Sequence, residues 1–367
     1  MVLVEKFINV LKKNKITFFT GVPDSVLKSF CYYLDKYSKK KHVLATNEGS
    51  AISIGIGHYL SKKEIPCIYM QNSGLSNAIN PLISIAGQNV YSIPLFLVIG
   101  WRGSPGSKDE PQHNAKGKIT KDLLRLLKID YCIIKKNQDL NKIEKLIRIS
   151  KKKNKIVACL IEKNIFNKIE RKKLTVNKGL IRSEFIKEFL KIIPKKSKLI
   201  STTGYTSREL MEVRKKYNIN NGKDFYMVGG MGHSSSVSAG YALNSKQKVF
   251  CLDGDGAILM HLGSLCTNGY LKLKNYKHIL LNNNSHESVG GQTTNAANIN
   301  FKNLVYSLGY KKYFLISNKN QILSTLKKFI ISSGPSFLEV KIRVQSMKNL
   351  GRPESLIKIR DAFTKNS

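Results

Sequence analysis

Short apolar runs alternate along this chain with segments of helix length, and this alternation limits its fold more than any other feature. Buried strands are predicted at residues 43–45, 65–70, 95–99, 199–201, 248–252 and 278–281, and helices at residues 50–60, 76–86 and 257–270. Strands that alternate with helices form βαβ units, in which neighbouring strands run parallel. The sequence therefore predicts an α/β fold built on doubly wound parallel sheets.

The two halves of the chain resemble each other at a fixed offset. The run from Gly57 through the strand at 65–70 is matched by the run from Gly240 through the strand at 248–252, 183 residues later. The same offset moves the strand at 95–99 onto residues 278–282. This predicts two domains of common topology, 1–165 and 180–367, joined by a charged linker at 166–179, with chance similarity between two α/β sheets as the alternative.

Composition narrows the class of protein. The 367 residues contain 62 Lys and Arg against 24 Asp and Glu, and no apolar run approaches the roughly 20 residues of a membrane helix. The N-terminus lacks the pattern of a signal peptide, and no two of the six cysteines form a CxxC motif, so reduced, buried thiols in a cytoplasmic protein are expected. The excess of 38 positive charges favours a small anionic substrate. A basic nucleic-acid-binding protein is the alternative, but the basic clusters match no nucleic-acid motif and none is expected to bind nucleic acid.

The strongest chemical signal is Gly254-Asp255-Gly256 after one predicted strand and Asn283 after the next. Because both side chains follow strands of a parallel sheet, they are expected at the edge where such sheets bind ligands. Carboxylate, amide and backbone carbonyl oxygens are hard ligands that suit Mg²⁺ together with phosphate oxygens. This half of the chain is therefore predicted to hold a metal–diphosphate.

The spacing of these residues resembles the fingerprint of the thiamine diphosphate-dependent enzymes: Gly254-Asp255-Gly256, 25 intervening residues, then Asn282-Asn283. The resemblance implies thiamine diphosphate as the cofactor and Mg²⁺ held by Asp255, Asn283 and the carbonyl of Ser285. It also implies cofactor contacts around the aminopyrimidine and the diphosphate, with Met231 bending the cofactor: Thr203, Gly204, Gly229, Met231, Gly254 and Gly256.

In the first half, Asn47-Glu48-Gly49 resembles the segment that carries the activating glutamate of this family. Thiamine must lose its C2 proton to become a nucleophile, and a carboxyl group bonded to its pyrimidine nitrogen assists that loss. Such a glutamate should lie in a largely apolar site. The alternative is that Glu48 only complements the N-terminus of the helix predicted at 50–60.

Further segments narrow the resemblance to the phosphonopyruvate decarboxylase branch. They are Gly21-Val22-Pro23-Asp24-Ser25, Gln71-Asn72-Ser73-Gly74, Asp109-Glu110-Pro111-Gln112-His113, His286-Glu287-Ser288-Val289-Gly290-Gly291-Gln292 and Leu350-Gly351-Arg352-Pro353. The resemblance implies decarboxylation of 3-phosphonopyruvate to phosphonoacetaldehyde and CO₂, in phosphonate biosynthesis. Sulfopyruvate decarboxylase is the nearest alternative.

The resemblance also implies roles for residues in these segments. Asp24, His113 and His286 are expected to move protons, since imidazole ordinarily titrates near neutrality. Anionic substrate is expected to contact Asn72, Arg102, Lys108, Gln292 and Arg352. For the histidines, Arg102, Lys108 and Arg352 a structural role is the alternative. A homodimer or larger assembly with active sites at the subunit interface is expected.

Overall fold

A computed structural model describes residues 1–170, 179–219, 224–353 and 355–365. The chain divides into two compact units, Met1–Lys173 with Val289–Gln292 and Leu174–Ser288 with Thr293–Ser367. Across the described ranges, none of the helices combines the length and the apolar character that a membrane span requires.

The first unit is built on six parallel strands. In chain order they are β1 (Phe19–Gly21), β2 (His42–Leu44), β3 (Cys67–Gln71), β4 (Phe96–Gly100), β5 (Asp130–Ile134) and β6 (Val157–Ile161). The helices are α1 (Val4–Lys13), α2 (Lys28–Leu34), α3 (Glu48–Lys62), α4 (Leu75–Ser84), α5 (Pro111–Leu126) and α6 (Leu140–Lys153), and short 3₁₀ turns cover Asn72–Gly74 and Asn137–Asp139. The strand order in the sheet is β2-β1-β3-β4-β6-β5.

The second unit is also built on six parallel strands. They are β7 (Lys198–Ser201), β8 (Asp224–Tyr226), β9 (Val249–Gly254), β10 (Tyr276–Asn282), β11 (Lys312–Ile316) and β12 (Ser336–Lys341). The helices are α7 (Arg182–Ile192), α8 (Tyr205–Lys216), α9 (Ser234–Leu243), α10 (Asp255–Met260), α11 (Ser264–Tyr270), α12 (Phe301–Ser307), α13 (Ile322–Ile331) and α14 (Leu356–Lys365), with 3₁₀ turns at Asn295–Asn298 and Lys319–Gln321. The strand order is β11-β12-β10-β9-β7-β8.

The two sheets share one topology. Read from its other edge and counted within its own unit, the second sheet has the same strand order as the first. The offset of 183 residues moves β3 into β9, the third strand of each unit. The predicted α/β fold, with two doubly wound parallel sheets of common topology, is confirmed.

Each sheet buries both of its faces. Along β3, Cys67 and Tyr69 belong to one hydrophobic core, while Ile68 and Met70 belong to the core on the opposite face. Successive side chains of a strand point to opposite faces, so a strand covered on both sides is apolar throughout. This explains why the central strands are visible in the sequence as continuous apolar runs.

The prediction of one helix at 257–270 is wrong in one respect, because this segment forms two helices, α10 and α11. α10 ends at Met260, and His261 leaves helical geometry with φ −134° and ψ 53°. The His261 ring stacks on the His233 ring, with centroids 4.2 Å apart. The break brings this part of the chain against the turn that contains Met231.

The predicted linker, 166–179, falls mostly outside the described residues, since 171–178 are not described. Its first residues are packed rather than extended: Phe166 is 7% exposed and forms a parallel bridge with Val2. The amide of Ile169 donates to the hydroxyl of Ser29. The predicted domain boundaries otherwise stay a prediction.

The cysteines are free thiols. Cys31, Cys67, Cys159 and Cys251 are buried as predicted. The prediction is wrong for Cys266, which is exposed on the short helix α11. A thiol at this position is accessible to solvent, whereas the buried four act as small apolar side chains.

A buried histidine makes the stability of the first unit depend on pH. His42 is 8% exposed, its Nε2 lies 2.8 Å from the hydroxyl of Tyr69, and burial lowers its pKa to about 4. The pKa of His42 in the folded state lies below the ordinary value near 6.5. The contribution of neutral His42 to the free energy of unfolding is therefore fully present above pH 6.5, and it is lost as the pH falls towards 4 because the unfolded chain binds the proton more readily.

We expect His42→Gln to remove this dependence. Between pH 7 and pH 4 the wild-type protein should lose about 3 kcal/mol more free energy of unfolding than the variant. Urea denaturation of both proteins across this range measures the difference, and the other histidines cancel because both proteins contain them. Parallel stability curves would contradict the assignment.

Candidate active site

Glu48 is the first residue of α3, at the edge of the first sheet where the strands end. The preceding residue, Asn47, caps the helix by accepting from the amide of Ser50 at 2.8 Å. Glu48 is 5% exposed, and its Oε2 accepts from Nδ2 of Asn77 on α4 at 2.9 Å. Its carboxyl group is thus held by another helix in addition to its place at a helix N-terminus.

A glycine makes room for this carboxyl group. A Cβ atom at Gly74 would lie 2.1 Å from Oε1 of Glu48. Gly74 ends the 3₁₀ turn that follows β3, so the loop after one strand closes directly over the acid that follows another. Any larger residue at position 74 would displace Glu48.

Asp24 follows β1 and is 1% exposed. Its Oδ2 accepts from the amides of Val26 at 3.0 Å and Leu27 at 3.2 Å, and its Oδ1 accepts from Nε2 of Gln71 at 2.5 Å. Burial raises the pKa of Asp24, and these hydrogen bonds oppose the shift. The group holds a proton more readily than an exposed aspartate, which suits a proton donor.

The side-chain amide of Asn72, predicted to contact substrate, makes hydrogen bonds within the protein. It is 6% exposed; its Nδ2 donates to the carbonyl of Arg102 and the hydroxyl of Thr120, each at 3.0 Å, and its Oδ1 accepts from the amide of Arg102 at 3.2 Å. These contacts hold the start of the loop that follows β4. The geometry gives Asn72 a positioning role.

Arg102 is paired within its own loop. Its Nη2 lies 2.5 Å from Oδ1 of Asp109, its Nε donates to Oδ2 of the same group at 3.0 Å, and Glu110 lies 3.9 Å away. Although burial opposes it, the guanidinium lowers the pKa of Asp109 to about 2. Lys108, on the same loop, is exposed. An anion that reached Arg102 would compete with Asp109.

The two histidines predicted to move protons do not titrate near neutrality. Burial lowers the pKa of His113, at the start of α5, to about 4. Burial also lowers the pKa of His286 to about 4. Both values lie below the ordinary pKa near 6.5, so the neutral imidazole is favoured at pH 7, and each ring can donate or accept a hydrogen bond without carrying charge. The roles of the two histidines in moving protons stay predictions.

In the second unit, Asp255 begins α10 directly after β9 and is 3% exposed. Its Oδ2 accepts from the hydroxyl of Thr294 at 2.5 Å. Burial raises the pKa of Asp255 to about 6. A cation at this carboxylate would offset the cost of burying its charge.

Asn283 follows β10 and joins the same local network. Its Nδ2 donates to Oε2 of Glu287 at 2.9 Å, and its Oδ1 accepts from the amide of Ser285 at 3.0 Å. Ser285 forms an antiparallel bridge with Thr293, next to the threonine that binds Asp255. The structure thus brings the predicted metal residues Asp255, Asn283 and Ser285 into one connected region.

The donors in this region fit a hard divalent cation. Among the described residues, the buried Oδ1 of Asn284 and Oγ of Ser285 have no hydrogen-bond partner. Together with the carboxylate of Asp255 they form an oxygen-rich set, which suits Mg²⁺ better than a soft metal. Buried oxygens usually have a hydrogen-bond partner, so a cation bound here would satisfy these two.

Met231, Gly256 and His286 meet at the start of α10. A Cβ atom at Gly256 would lie 2.8 Å from Nδ1 of His286 and 3.4 Å from Cε of Met231. Met231 lies between Gly230, with φ 64°, and Gly232, with φ 89°, a turn that favours glycine on both sides. Gly229, half-buried, precedes this turn.

The remaining predicted residues lie on loops. Gly204, with φ 92°, caps α8, and a Cβ there would lie 3.5 Å from Oγ of Ser288; Thr203 beside it is half-buried. Gln292 is 1% exposed, and within the described ranges its amide oxygen and nitrogen have no hydrogen-bond partner. Arg352 is exposed, next to Gly351, whose carbonyl accepts from Arg208 at 2.9 Å. Substrate contacts of Gln292 and Arg352 stay predictions.

Sequence reasoning did not assign the partners that hold these groups. Gln71, Asp109 and Glu287 lie inside quoted motifs, so their position was visible although their role was not. Asn77, Thr294 and Arg182 carry no local signal. Only the folded structure shows that these residues contact the site.

Family comparisons agree with this arrangement. Residues 1–123 match the model described as thiamine pyrophosphate enzyme, N-terminal TPP binding domain, and residues 202–340 match its C-terminal TPP binding domain. Fold and site thus define a thiamine diphosphate-dependent enzyme, since thiamine pyrophosphate is the same cofactor. Phosphonopyruvate decarboxylase of Streptomyces viridochromogenes is 30% identical over 360 residues, which cover 92% of this chain and 88% of that protein. The chain belongs to the thiamine diphosphate-dependent decarboxylase family that includes it.

Two further relatives carry a different substrate in their names. Sulfopyruvate decarboxylase of Methanosarcina acetivorans is 26% identical over 364 residues, covering 92% of this chain and 91% of that protein. Sulfopyruvate decarboxylase subunit beta of Methanocaldococcus jannaschii is 38% identical over 129 residues, covering 35% of this chain and 66% of that subunit.

The two glycines on either side of Asp255 should respond differently to alanine. None of the described atoms lies within 4 Å of a Cβ built at Gly254, whereas one at Gly256 meets the His286 ring. We expect Gly254→Ala to leave the melting temperature unchanged but to weaken thiamine diphosphate binding at least about tenfold, because Gly254 is predicted to contact the cofactor and a methyl group there would take up space that glycine leaves open. Gly256→Ala should cost about 1–3 kcal/mol of stability by overpacking.

Differential scanning fluorimetry and calorimetric titration with thiamine diphosphate separate the two effects. Wild-type cofactor affinity in Gly254→Ala would show that the cofactor does not approach this glycine. Unchanged stability in Gly256→Ala would show that His286 moves freely away from α10.

Proposed function

We propose that this enzyme decarboxylates 3-phosphonopyruvate to phosphonoacetaldehyde and CO₂, with thiamine diphosphate and Mg²⁺, in phosphonate biosynthesis. The observation that carries the choice of substrate is the similarity to a phosphonopyruvate decarboxylase along 92% of the chain. The formal net charge of +38 supports a highly anionic substrate.

The metal half of the proposed site uses oxygen ligands only. Asp255, Asn283 and the carbonyl of Ser285 would hold Mg²⁺, which would neutralise the diphosphate there. Thr203 and Gly204 would contact the diphosphate, while Gly229 and Met231 would contact the pyrimidine. When bound, thiamine diphosphate supplies an electron sink, which accepts the electron pair of the bond that breaks as CO₂ leaves.

The proton half of the proposed site uses buried acids. Glu48 would hold a proton at its Oε1 or Oε2 against the pyrimidine nitrogen, with Asn77 keeping the carboxyl group in place. Asp24, whose pKa is raised by burial, would deliver the proton that replaces CO₂ on the product. His113 and His286, neutral at pH 7, would act through hydrogen bonds.

The anionic end of the substrate needs a cation that can be released. Arg102 would exchange Asp109 for the phosphonate or carboxylate, since both present the paired oxygens that a guanidinium binds. Lys108 and Arg352, both exposed on loops, would add positive charge, and Gln292 would offer its amide.

Sulfopyruvate is the second candidate substrate. A sulfopyruvate decarboxylase matches 92% of this chain, though at 26% identity. Phosphonate and sulfonate differ mainly in charge, so the same cations could bind either.

We also propose that the working enzyme is a homodimer or a larger assembly of this chain in the cytoplasm. In this proposal, Glu48 of one subunit and Asp255 of another serve one cofactor. Free thiols at all six cysteines suit a reducing compartment.

A substrate panel tests the proposed function. Purified protein with Mg²⁺ and thiamine diphosphate should release aldehyde from phosphonopyruvate at least about tenfold faster, in kcat/KM, than from sulfopyruvate or pyruvate. Glu48→Gln should lower kcat about 10²–10⁴-fold, the usual range for a lost proton-transfer group. The exposed Glu5→Gln is the matched control and should be fully active.

Two results would overturn parts of the proposal. Turnover of sulfopyruvate alone would keep the mechanism and replace the substrate. Full activity in Glu48→Gln would remove Glu48 from the chemistry.

Gly74 tests the position of Glu48 without changing the acid. In Gly74→Ala the new Cβ would lie 2.1 Å from Oε1, so the carboxyl group must move, and we expect kcat to fall about 100-fold or more. Gly57→Ala is the control, because no described atom lies within 4 Å of a Cβ there and alanine should stabilise α3 by about 0.5–1 kcal/mol. Steady-state kinetics compare the two, and equal activity would show that the placement of Glu48 is not critical.

A further inference from the structure

Arg182 is a buried cation at the start of α7, in no segment that carries a motif. It is 4% exposed, and its guanidinium binds two acids: Nη1 lies 2.9 Å from Oε1 of Glu209 and Nη2 lies 2.6 Å from Oε2 of Glu287. A buried charge is costly unless it is paired and hydrogen-bonded, so such a group usually serves a specific arrangement.

One of these acids reaches a proposed metal ligand. Oε2 of Glu287 accepts from Nδ2 of Asn283 at 2.9 Å as well as from Arg182. An ionised carboxylate can only accept hydrogen bonds, so it fixes the NH₂ group of Asn283 on its own side. The amide oxygen must then face the other way, towards Ser285.

The other acid holds the turn predicted to take the diphosphate. Glu209 lies in the second turn of α8, whose N-terminal cap is Gly204. Its Oε1 also accepts from the amide of Met347 at 3.2 Å. Ser288, just beyond Glu287, lies against Gly204. The two loops held by Arg182 therefore meet.

The charges around Arg182 do not cancel. One guanidinium faces two carboxylates, and Asp255 adds a further buried carboxylate in the same unit. A single guanidinium therefore binds both acids, so removing it would leave two buried carboxylates without their shared partner.

We propose that Arg182 is a positioning residue for the metal half of the site. Through Glu287 it orients the Asn283 amide with its oxygen available to the cation, and through Glu209 it holds α8, the helix whose N-terminal cap is Gly204. The proposal rests on the proposed role of Asn283 as a metal ligand.

The test is direct cation binding by the full-length protein with thiamine diphosphate present. Mn²⁺ is titrated into each variant and free Mn²⁺ is followed by electron paramagnetic resonance. In Arg182→Lys the single ammonium group cannot reach both acids as the two guanidinium nitrogens do. In Glu287→Gln the new side-chain NH₂ group can donate to the amide oxygen of Asn283, so the Asn283 amide is free to flip. We expect both to bind Mn²⁺ about 10–100-fold more weakly than wild type, the usual effect of losing a partner of a metal ligand. High Mg²⁺ should restore most of kcat while the KM for substrate stays unchanged.

Arg214→Lys is the matched control. Arg214 is 4% exposed and binds Asp224 through Nε at 2.7 Å and Nη2 at 2.8 Å, in the same unit but outside the site. It should lose similar thermal stability and yet bind Mn²⁺ as wild type does. Equal weakening in Arg214→Lys would show that general destabilisation causes the effect and would overturn the proposal.

Asn283→Ala separates this proposal from the proposed function. If Asn283→Ala weakens Mn²⁺ binding while Arg182→Lys and Glu287→Gln bind normally, the positioning role is wrong and the metal site stands. If Asn283→Ala binds normally, the metal role of Asn283 itself is wrong. If Arg182→Lys does not fold, Glu287→Gln decides, because it removes one charge without removing volume.

Discussion

Parallel strand pairing is the constraint on which the rest of the structure depends. When all strands of a sheet run in one direction, the loops that follow them gather at one edge. In the first unit, Asp24, Glu48 and Arg102 each follow a different strand. In the second unit, Gly204 and Asp255 do the same. Polar groups that are far apart in sequence therefore converge in each unit, while apolar residues fill both faces of the sheet.

Burying polar groups at that edge is costly, and the structure meets the cost with specific partners. Glu48, Asp24 and Asp255 are each at most 5% exposed, and each accepts a hydrogen bond from a side chain on another strand, helix or loop. The bonds fix rotamers that an exposed acid would not keep. Glycine contributes where a loop must pass close: Gly74 over Glu48 is the clearest case. Chemical reactivity and rigidity thus come from the same contacts.

The sequence analysis predicts the four central strands, β7 and the edge strand β2, but it misses the interior strands β1, β6 and β12. The central strands β3, β4, β9 and β10 are buried on both faces and appear as apolar runs, so they are found close to their true bounds. The edge strands β5 and β11 begin with exposed residues and are only partly buried, so they lack the continuously buried pattern of the central strands although their residues favour strands. Similarly, motif residues such as Asp255 are placed correctly on strand ends. The partners of these residues are not predicted, because they lie far away along the chain. Thr294 is 39 positions from Asp255, and Arg182 is 105 positions from Glu287.

One pair of equivalent positions shows how two units of the same topology can differ in function. Asn72 and Asp255 each follow the third strand of their unit, and the offset of 183 residues superposes one on the other. In the first unit the amide offers both donor and acceptor atoms, and it uses them to fasten a neighbouring loop. In the second unit the ionised carboxylate can only accept, and its side-chain partner is the hydroxyl of Thr294. A repeated architecture can therefore differ at equivalent positions by one side-chain atom, nitrogen in place of oxygen: the amide in one unit holds a loop, whereas the carboxylate in the other would be free to carry negative charge towards the proposed cation.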